Sequence, residues 1–258
     1  MNSELALQWY PGHMARAMRR LRDDLRACNL VVEVRDARIP QSGANAALGR
    51  AIGARRRLIV LARAQLADPV ATGAWLAHLR ADGTAALALD AKTPAGKALL
   101  RAALASLVGR RRSARALVVG VPNAGKSTAI NALVGRRVAR VEDRAGVTRG
   151  AQWFKLGGAL ELLDTAGILA PKLEEPQARW KLAAVGAVPR ARYDAEDVVA
   201  HLLAWSEGRR GLPSLESFAQ LRGHLRRGTL PDVHAAAATY LRAWNEGRFG
   251  AMTLDDPP

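Results

Sequence analysis

The sequence predicts an α/β protein: a doubly wound, mostly parallel sheet followed by an all-α domain. Short apolar runs alternate with helix-like stretches through most of the chain, and a glycine-rich loop joins one such run to a helix. Strand signals end near residue 171. Strand–helix alternation favours parallel pairing, because each crossover helix returns the chain to the same end of the sheet. We therefore expect two domains, residues 1–170 and residues 171–258.

Each strand is predicted from a short apolar run, and each helix from apolar residues at helical spacing. The predicted strands are Leu30–Asp36, Arg57–Leu61, Ala85–Leu89, Ala116–Val119, Gln152–Leu156 and Ala159–Leu163. The last two flank Gly157-Gly158, which predicts a tight hairpin. The predicted helices are Met14–Cys28, Val70–Leu79, the stretch after Lys126, Gln177–Val188, Ala195–Trp205, Leu215–Leu225 and Val233–Glu246.

The composition excludes several classes of protein. The chain has 258 residues, of which 49% are hydrophobic, enough for a substantial core. No apolar run approaches the roughly 20 residues of a membrane span. The first residues include Glu4 and no long apolar stretch, so we expect no signal peptide. The single cysteine, Cys28, rules out an internal disulfide and fits a reducing compartment. We expect a monomeric, cytoplasmic protein that does not bind membranes.

Positive charge is concentrated at the start of the chain. Residues 1–114 hold 19 Lys and Arg against 8 Asp and Glu, a net charge of +11. Such an excess favours a polyanionic partner, most simply a nucleic acid, and Arg16, Arg19 and Arg20 on the first helix are candidate contacts. The alternatives are a compositional drift towards arginine and an ordinary solvated helix face.

A phosphate-binding loop is predicted at Gly120–Thr128, which has the spacing G-x-x-x-x-G-K-S between a strand and a helix. Its backbone N–H groups can surround a phosphate at the helix N-terminus. Lys126 is expected to face solvent and reach the outer phosphates, and the Ser127 hydroxyl to bind Mg²⁺. The alternative is a chance glycine turn, which the strand–loop–helix context disfavours. The candidate nucleotide-binding residues here are Asn123, Ala124, Gly125, Lys126, Ser127 and Thr128.

Two segments downstream complete a pattern typical of GTPases. Thr148 follows the loop and could bind the metal. Asp164 ends a strand in the sequence D-x-x-G, where it could bind Mg²⁺ through water while the Gly167 N–H meets the γ-phosphate. The threonine and the D-x-x-G segment are each weak signals alone. The ordered set of phosphate loop, threonine and D-x-x-G is a strong one.

A GTPase also needs a base-reading loop, normally N-K-x-D, and none follows D-x-x-G. Instead, the strand Arg57–Leu61 leads into Ala62-Arg63-Ala64-Gln65, and Asp90-Ala91-Lys92 resembles the loop that normally follows the base reader. Both segments precede the phosphate loop, so the motif order is circularly permuted. The candidate base-contacting residues are Arg63, Gln65, Asp90 and Ala91.

At this point the chain resembles the circularly permuted GTPases, and within them the bacterial ribosome biogenesis GTPase A family. The matching segments are Trp9–Met14, Val34–Pro40, Gly120–Thr128, Gly146–Thr148, Asp164–Leu169, Pro171-Lys172, Gly186–Val188 and Glu246–Gly250. The resemblance implies a P-loop GTPase-type fold and a GTP-hydrolysing assembly factor that acts on the large (50S) ribosomal subunit and its rRNA.

The resemblance also implies cofactors and a catalytic residue. The cofactors are GTP, Mg²⁺ and, as a further cation, K⁺ held by Asn123, which could otherwise be just a good turn residue. Ile168 follows D-x-x-G where many GTPases have a water-orienting glutamine. The family points to His13 for that role, and a structural or RNA-contacting histidine is the alternative.

The chain departs from the family in the base loop. Gln65 is neutral, so its single carbonyl cannot reproduce the bidentate contact of an aspartate with guanine, and Ala62 lacks the asparagine amide. Arg63 could still stack on the base, and Asp68 could substitute only if the loop rearranged. This predicts triphosphate binding with poor guanine selectivity. The alternative function is a ribosome- or rRNA-binding protein with a degenerate nucleotide site; an unrelated P-loop ATPase is disfavoured by the permuted order.

Overall fold

The computed structural model describes residues 11–44, 46–53, 55–109, 113–135, 152–156, 160–165, 176–209, 211–226 and 229–258. For residues 11–18, 46–47 and 176 it describes the backbone but not the side chains.

A six-stranded sheet forms the centre of the first part of the chain. Its strand order is β3-β2-β1-β4-β6-β5, and every neighbouring pair is parallel except β5 with β6. The strands are β1 Leu30–Asp36, β2 Arg56–Ala62, β3 Ala85–Leu89, β4 Ala114–Val119, β5 Gln152–Lys155 and β6 Leu160–Asp164.

Helices cover both faces of the sheet because the central strands carry apolar side chains on each face. Val31 of β1 packs with Leu21 and Leu25 on one face, whereas Val32 packs with Leu104 and Ile130 on the other. The helices of this part are α1 Pro11–Arg26, α2 Ala46–Ile52, α3 Pro69–Arg80, α4 Pro94–Val108 and α5 Lys126–Val134.

The last third of the chain is helical and shares its core with the sheet. One cluster of buried residues runs from β1 and β4 through Trp180 to Leu202, Trp244 and Leu254. Its helices are α6 Pro176–Ala184, α7 Ala195–Ser206, α8 Leu215–Leu221 and α9 Val233–Asn245. Side-chain caps begin α7, α8 and α9 at Asp194, Ser214 and Asp232.

The fold class is confirmed, but the sequence analysis did not predict two of the helices, α2 Ala46–Ile52 and α4 Pro94–Val108. A two-stranded hairpin, β7 Leu225–Arg226 with β8 Leu230–Pro231, interrupts the helical part, and α8 therefore ends at Leu221 instead of Leu225. These strands are too short to leave a period-2 signal. The boundary between residues 170 and 171 stays a prediction. None of the helices in the described residues is both long enough and apolar enough to cross a membrane.

Candidate nucleotide site

The sequence-predicted motifs meet at one edge of the sheet. Ala62, Leu89, Val119 and Asp164 end β2, β3, β4 and β6, and the strands are parallel, so the loops that follow them leave from the same edge. Ligands of open α/β sheets bind at this carboxyl edge. Segments about 100 residues apart in the sequence are thereby brought to a common site.

The phosphate loop is shaped by glycine. Gly120 has φ 150°, and a Cβ added there would lie 2.1 Å from the Val34 carbonyl oxygen of β1, so only glycine allows this close approach. Gly125, with φ 105°, begins α5 beside Ala62, to whose Cβ an added Cβ would come within 3.2 Å. The loop therefore leads directly into the N-terminus of α5, where backbone N–H groups favour an anion.

Lys126 lies differently from the solvent-facing position that the sequence analysis predicted. Its side chain is buried, and Nζ donates to the carbonyl oxygens of Gly120 at 3.1 Å and Val121 at 2.8 Å. Burial lowers the pKa of Lys126 to about 8, while the carboxylate of Asp164 acts in the opposite direction. The prediction of a solvent-facing lysine is wrong, because the loop carbonyls fold around the ammonium group.

Asp164 has a buried carboxylate close to the phosphate loop. Asp164 lies opposite Val118 of β4 in the sheet, and the hydroxyl of the next residue, Thr165, donates to the Val118 carbonyl oxygen at 2.8 Å. Burial raises the pKa of Asp164 to about 6, an effect that Lys126 partly offsets. Among the described residues, Oδ1 of Asp164 has no hydrogen-bond partner. Such a buried oxygen fits a cation or its bound water.

The base loop, residues 62–65, turns sharply after β2. Arg63 has φ 59°, and its Nη1 lies 3.6 Å from Oδ2 of the buried Asp36. Gln65 is exposed, and Ala62 is buried. The structure thus places Arg63 and Gln65 at the carboxyl edge, with the Arg63 guanidinium directed towards Asp36.

Asp68, the residue considered as a substitute base reader, has another role. Its side chain accepts a hydrogen bond from the Ala71 N–H at 2.8 Å and caps α3. One oxygen of the Asp68 carboxylate is therefore already used in a helix cap.

The second base loop forms a compact turn after β3. Asp90 Oδ1 accepts from the Lys92 N–H at 2.9 Å, and Thr93 caps α4 by accepting from the Gly96 N–H. Ala91 is buried against the core. The turn lies beside the base loop because β3 pairs with β2.

Contacts from the helical part reach both ends of this site, and sequence reasoning did not identify them. Asn123, with φ 58°, donates from Nδ2 to the Gly186 carbonyl oxygen at 2.7 Å. Arg38 donates to Asn245 of α9 at 3.2 Å. Arg38, Asn123 and Gly186 each belong to a segment that resembles the family, which was the available signal; Asn245 lies outside those segments.

Three predicted site residues lie outside what the structure describes. Thr148 and Gly167 are not among the described residues, and neither is the side chain of His13. The backbone of His13 lies in the first turn of α1. Their predicted roles stay predictions.

Comparisons with known proteins match the permuted motif order and the fold. A family model described as "50S ribosome-binding GTPase" matches residues 115–225. A ribosome biogenesis GTPase A of Priestia megaterium is 36% identical over 281 residues, covering 98% of this chain and 98% of that protein. Another, of Thermotoga maritima, is 34% identical over 256 residues, covering 97% and 95%.

A solved structure gives the same result in three dimensions. The crystal structure of GNP-bound YlqF from T. maritima superimposes with a TM-score of 0.75 at 31% identity, covering 94% of this chain and 98% of that one. Since full-length relatives exceed 30% identity and the sheet carries its motifs in permuted order, the chain belongs to the ribosome biogenesis GTPase A family of circularly permuted GTPases.

Proposed function

We propose that this GTPase is an assembly factor for the large ribosomal subunit, which it binds through rRNA and leaves after hydrolysing GTP. The observation that carries the proposal is the phosphate loop at the carboxyl edge, which contains Lys126 and has Asp164 beside it. The names of the full-length relatives support the ribosomal role. Because these bacterial relatives act in ribosome biogenesis by name, we place the chain in the cytoplasm; its monomeric state stays a prediction.

The metal would be Mg²⁺ bound with the nucleotide. Asp164 and Ser127 offer the hard oxygen ligands that Mg²⁺ prefers, and Thr148 is a third candidate. In the described residues, no group of three or more His, Cys, Asp or Glu could form an all-protein metal cage. This fits an ion held mainly by phosphates and one carboxylate, whose chemistry is to neutralise charge on the phosphates.

A role for K⁺ rests on Asn123. Its amide nitrogen donates to the Gly186 carbonyl oxygen, which fixes the side chain and leaves its Oδ1 as the acceptor for a cation. The fixed amide supports the proposed K⁺ contact at the phosphate loop.

A second candidate function is rRNA binding with a weakly selective nucleotide site. It is favoured by Ala62 and Gln65, which lack the groups that read guanine, and by Asp68, whose carboxylate already caps α3. The two candidates differ in whether hydrolysis responds to the ribosomal subunit.

Lys126→Ala should weaken binding of GTP roughly 10- to 150-fold, because it removes a charge-assisted phosphate contact of about 1.5–3 kcal/mol. Calorimetric titration would measure this loss. Lys97→Ala, an exposed lysine on α4, is the control and should leave affinity unchanged. Equal affinity in Lys126→Ala and the wild type would refute the phosphate-loop assignment.

GTP hydrolysis should rise roughly tenfold or more when large subunits are added, since groups supplied in trans strongly accelerate GTPases. Steady-state release of phosphate would measure it. If His13 orients the attacking water, His13→Ala should bind GTP normally but lose the acceleration, whereas His78→Ala on α3 should keep it. An equal rate of GTP hydrolysis with and without the large subunit would favour the second candidate function.

The exposed arginines of α1 should contribute to a salt-dependent interaction with rRNA. Replacing Arg19 and Arg20 with alanine should lower the slope of log affinity against log salt by about 0.7–0.9 for each rRNA phosphate that is no longer neutralised. Co-sedimentation with large subunits over a salt series would give the slope. The pair Arg222→Ala and Arg242→Ala in the helical part is the control; an unchanged slope in the α1 variant would assign that face to solvent.

The base loop should discriminate poorly against ATP. Restoring Ala62→Asn with Gln65→Asp should improve the preference for GTP by on the order of 2–3 kcal/mol, roughly 30- to 150-fold. Competition of ATP against labelled GTP would measure the preference. Ala62→Asn with Gln65→Glu carries the same charge on a longer side chain and should gain less. Strong GTP preference in the wild type would mean that another group reads the base.

A further inference from the structure

A short segment near the end of the chain, residues 252–255, crosses the carboxyl edge of the sheet. We call it the C-terminal strap. All four of its residues are buried although none belongs to a helix or strand. Burial of an irregular segment leaves its backbone groups without secondary-structure partners, so its contacts must satisfy them. Those contacts identify what the strap does.

The strap holds the segment that follows the base loop. The Met252 N–H donates to the Leu66 carbonyl oxygen at 3.0 Å, and the Asp68 N–H donates to Thr253 Oγ1 at 3.1 Å. The turn before the strap is close as well, because a Cβ added at Gly247 would lie 2.6 Å from Leu66 Cδ2. Two hydrogen bonds therefore fix the backbone between the base loop and α3.

Asp255 anchors the strap with its carboxylate. Oδ2 accepts from the N–H groups of Gln41 at 2.8 Å and Ser42 at 2.7 Å, and Oδ1 accepts from the Ser42 hydroxyl at 2.6 Å and Lys181 Nζ at 2.9 Å. The Asp255 carbonyl oxygen also accepts from Trp75 Nε1 at 3.2 Å. A buried carboxylate with this many donors is held strongly in place.

The strap reaches the base loop by a second route. The Leu254 N–H donates to the Arg38 carbonyl oxygen at 2.7 Å, and the Arg38 side chain forms a two-point ion pair with Asp36. Asp36 in turn lies 3.6 Å from Arg63 of the base loop. One route thus ends on the residues that directly follow the base loop, and the other ends on Arg63 within it.

We propose that the C-terminal strap is a positioning element for the base of the bound nucleotide, with Asp255 as its anchor. The inference rests on the proposed GTP-binding function of this edge. Since Ala62 and Gln65 lack the side chains that hold guanine, the base loop depends on a fixed backbone for whatever base contact it makes. Loss of the anchor leaves the base loop in its binding-competent conformation for only part of the time. The apparent affinity for the nucleotide is then the intrinsic affinity multiplied by the fraction of chains in that conformation.

The test compares two ligands on two matched variants. Asp255→Ala removes the anchor, whereas Asp256→Ala removes the neighbouring, exposed carboxylate that pairs with Arg209. Calorimetry with Mg²⁺ present would measure the affinity for GTP and for inorganic tripolyphosphate, which lacks a base. Asp255→Ala should bind GTP roughly tenfold more weakly and tripolyphosphate unchanged. Asp256→Ala should change neither affinity.

The outcomes separate this proposal from the proposed function. Unchanged GTP affinity in Asp255→Ala, or an equal loss for both ligands, would overturn the positioning role while leaving GTP binding intact. A wild-type chain that bound neither ligand would refute the proposed function, and the strap's role with it. If Asp255→Ala does not fold, Thr253→Val, which loses only the acceptor for Asp68, decides the question by the same comparison of ligands.

Discussion

A buried ion pair between Asp36 and Arg38 lies where the sheet, the base loop and the helical part meet. Nε and Nη2 of Arg38 donate to the two carboxylate oxygens at 2.9 and 2.8 Å, and each side chain is only 1% exposed. Burial alone would raise the pKa of Asp36, but Arg38, with help from Arg63, lowers it. Removing one partner of such a pair costs about 3–5 kcal/mol, because the other charge stays buried and uncompensated.

The same contacts make the helical part and the nucleotide edge one packed unit. Arg38 donates to Asn245 of α9, and Asn123 of the phosphate loop donates to Gly186 after α6. The buried core also continues between the two parts. A movement of the helical part away from the sheet would break both hydrogen bonds and open the core; the neutral Asn123–Gly186 bond contributes about 0.5–1.5 kcal/mol and the bond from the charged Arg38 about 1.5–3 kcal/mol. Displacement of the helices and the geometry of the phosphate loop are therefore linked through the bond between Asn123 and Gly186.

The sequence predicted the parts of this structure that follow from local patterns. Apolar runs located β1 and β3 to the residue, and glycine spacing located the phosphate loop, because both signals lie within a few neighbouring residues. The burial of Lys126 was missed, since it depends on how loop carbonyls fold back in space. Asn245 and the strap were missed for the same reason: they act over about 200 residues of sequence, where spacing carries no signal. The roles of His13, Thr148 and Gly167 stay predictions.

The two halves of the nucleotide site depend on different kinds of group, and this explains how one can change without the other. In the proposed site, phosphate binds mainly to backbone N–H groups, whose directions follow from Gly120, Gly125 and the start of α5. In the N-K-x-D pattern of GTPases the base is read by the asparagine and the aspartate, and the corresponding positions of this chain hold Ala62 and Gln65. Ala62 is 2% exposed and packed beside Gly125, so the smaller residue leaves the phosphate loop supported. Substitutions in the base loop can thus weaken guanine selectivity while the loop that holds the triphosphate keeps its shape.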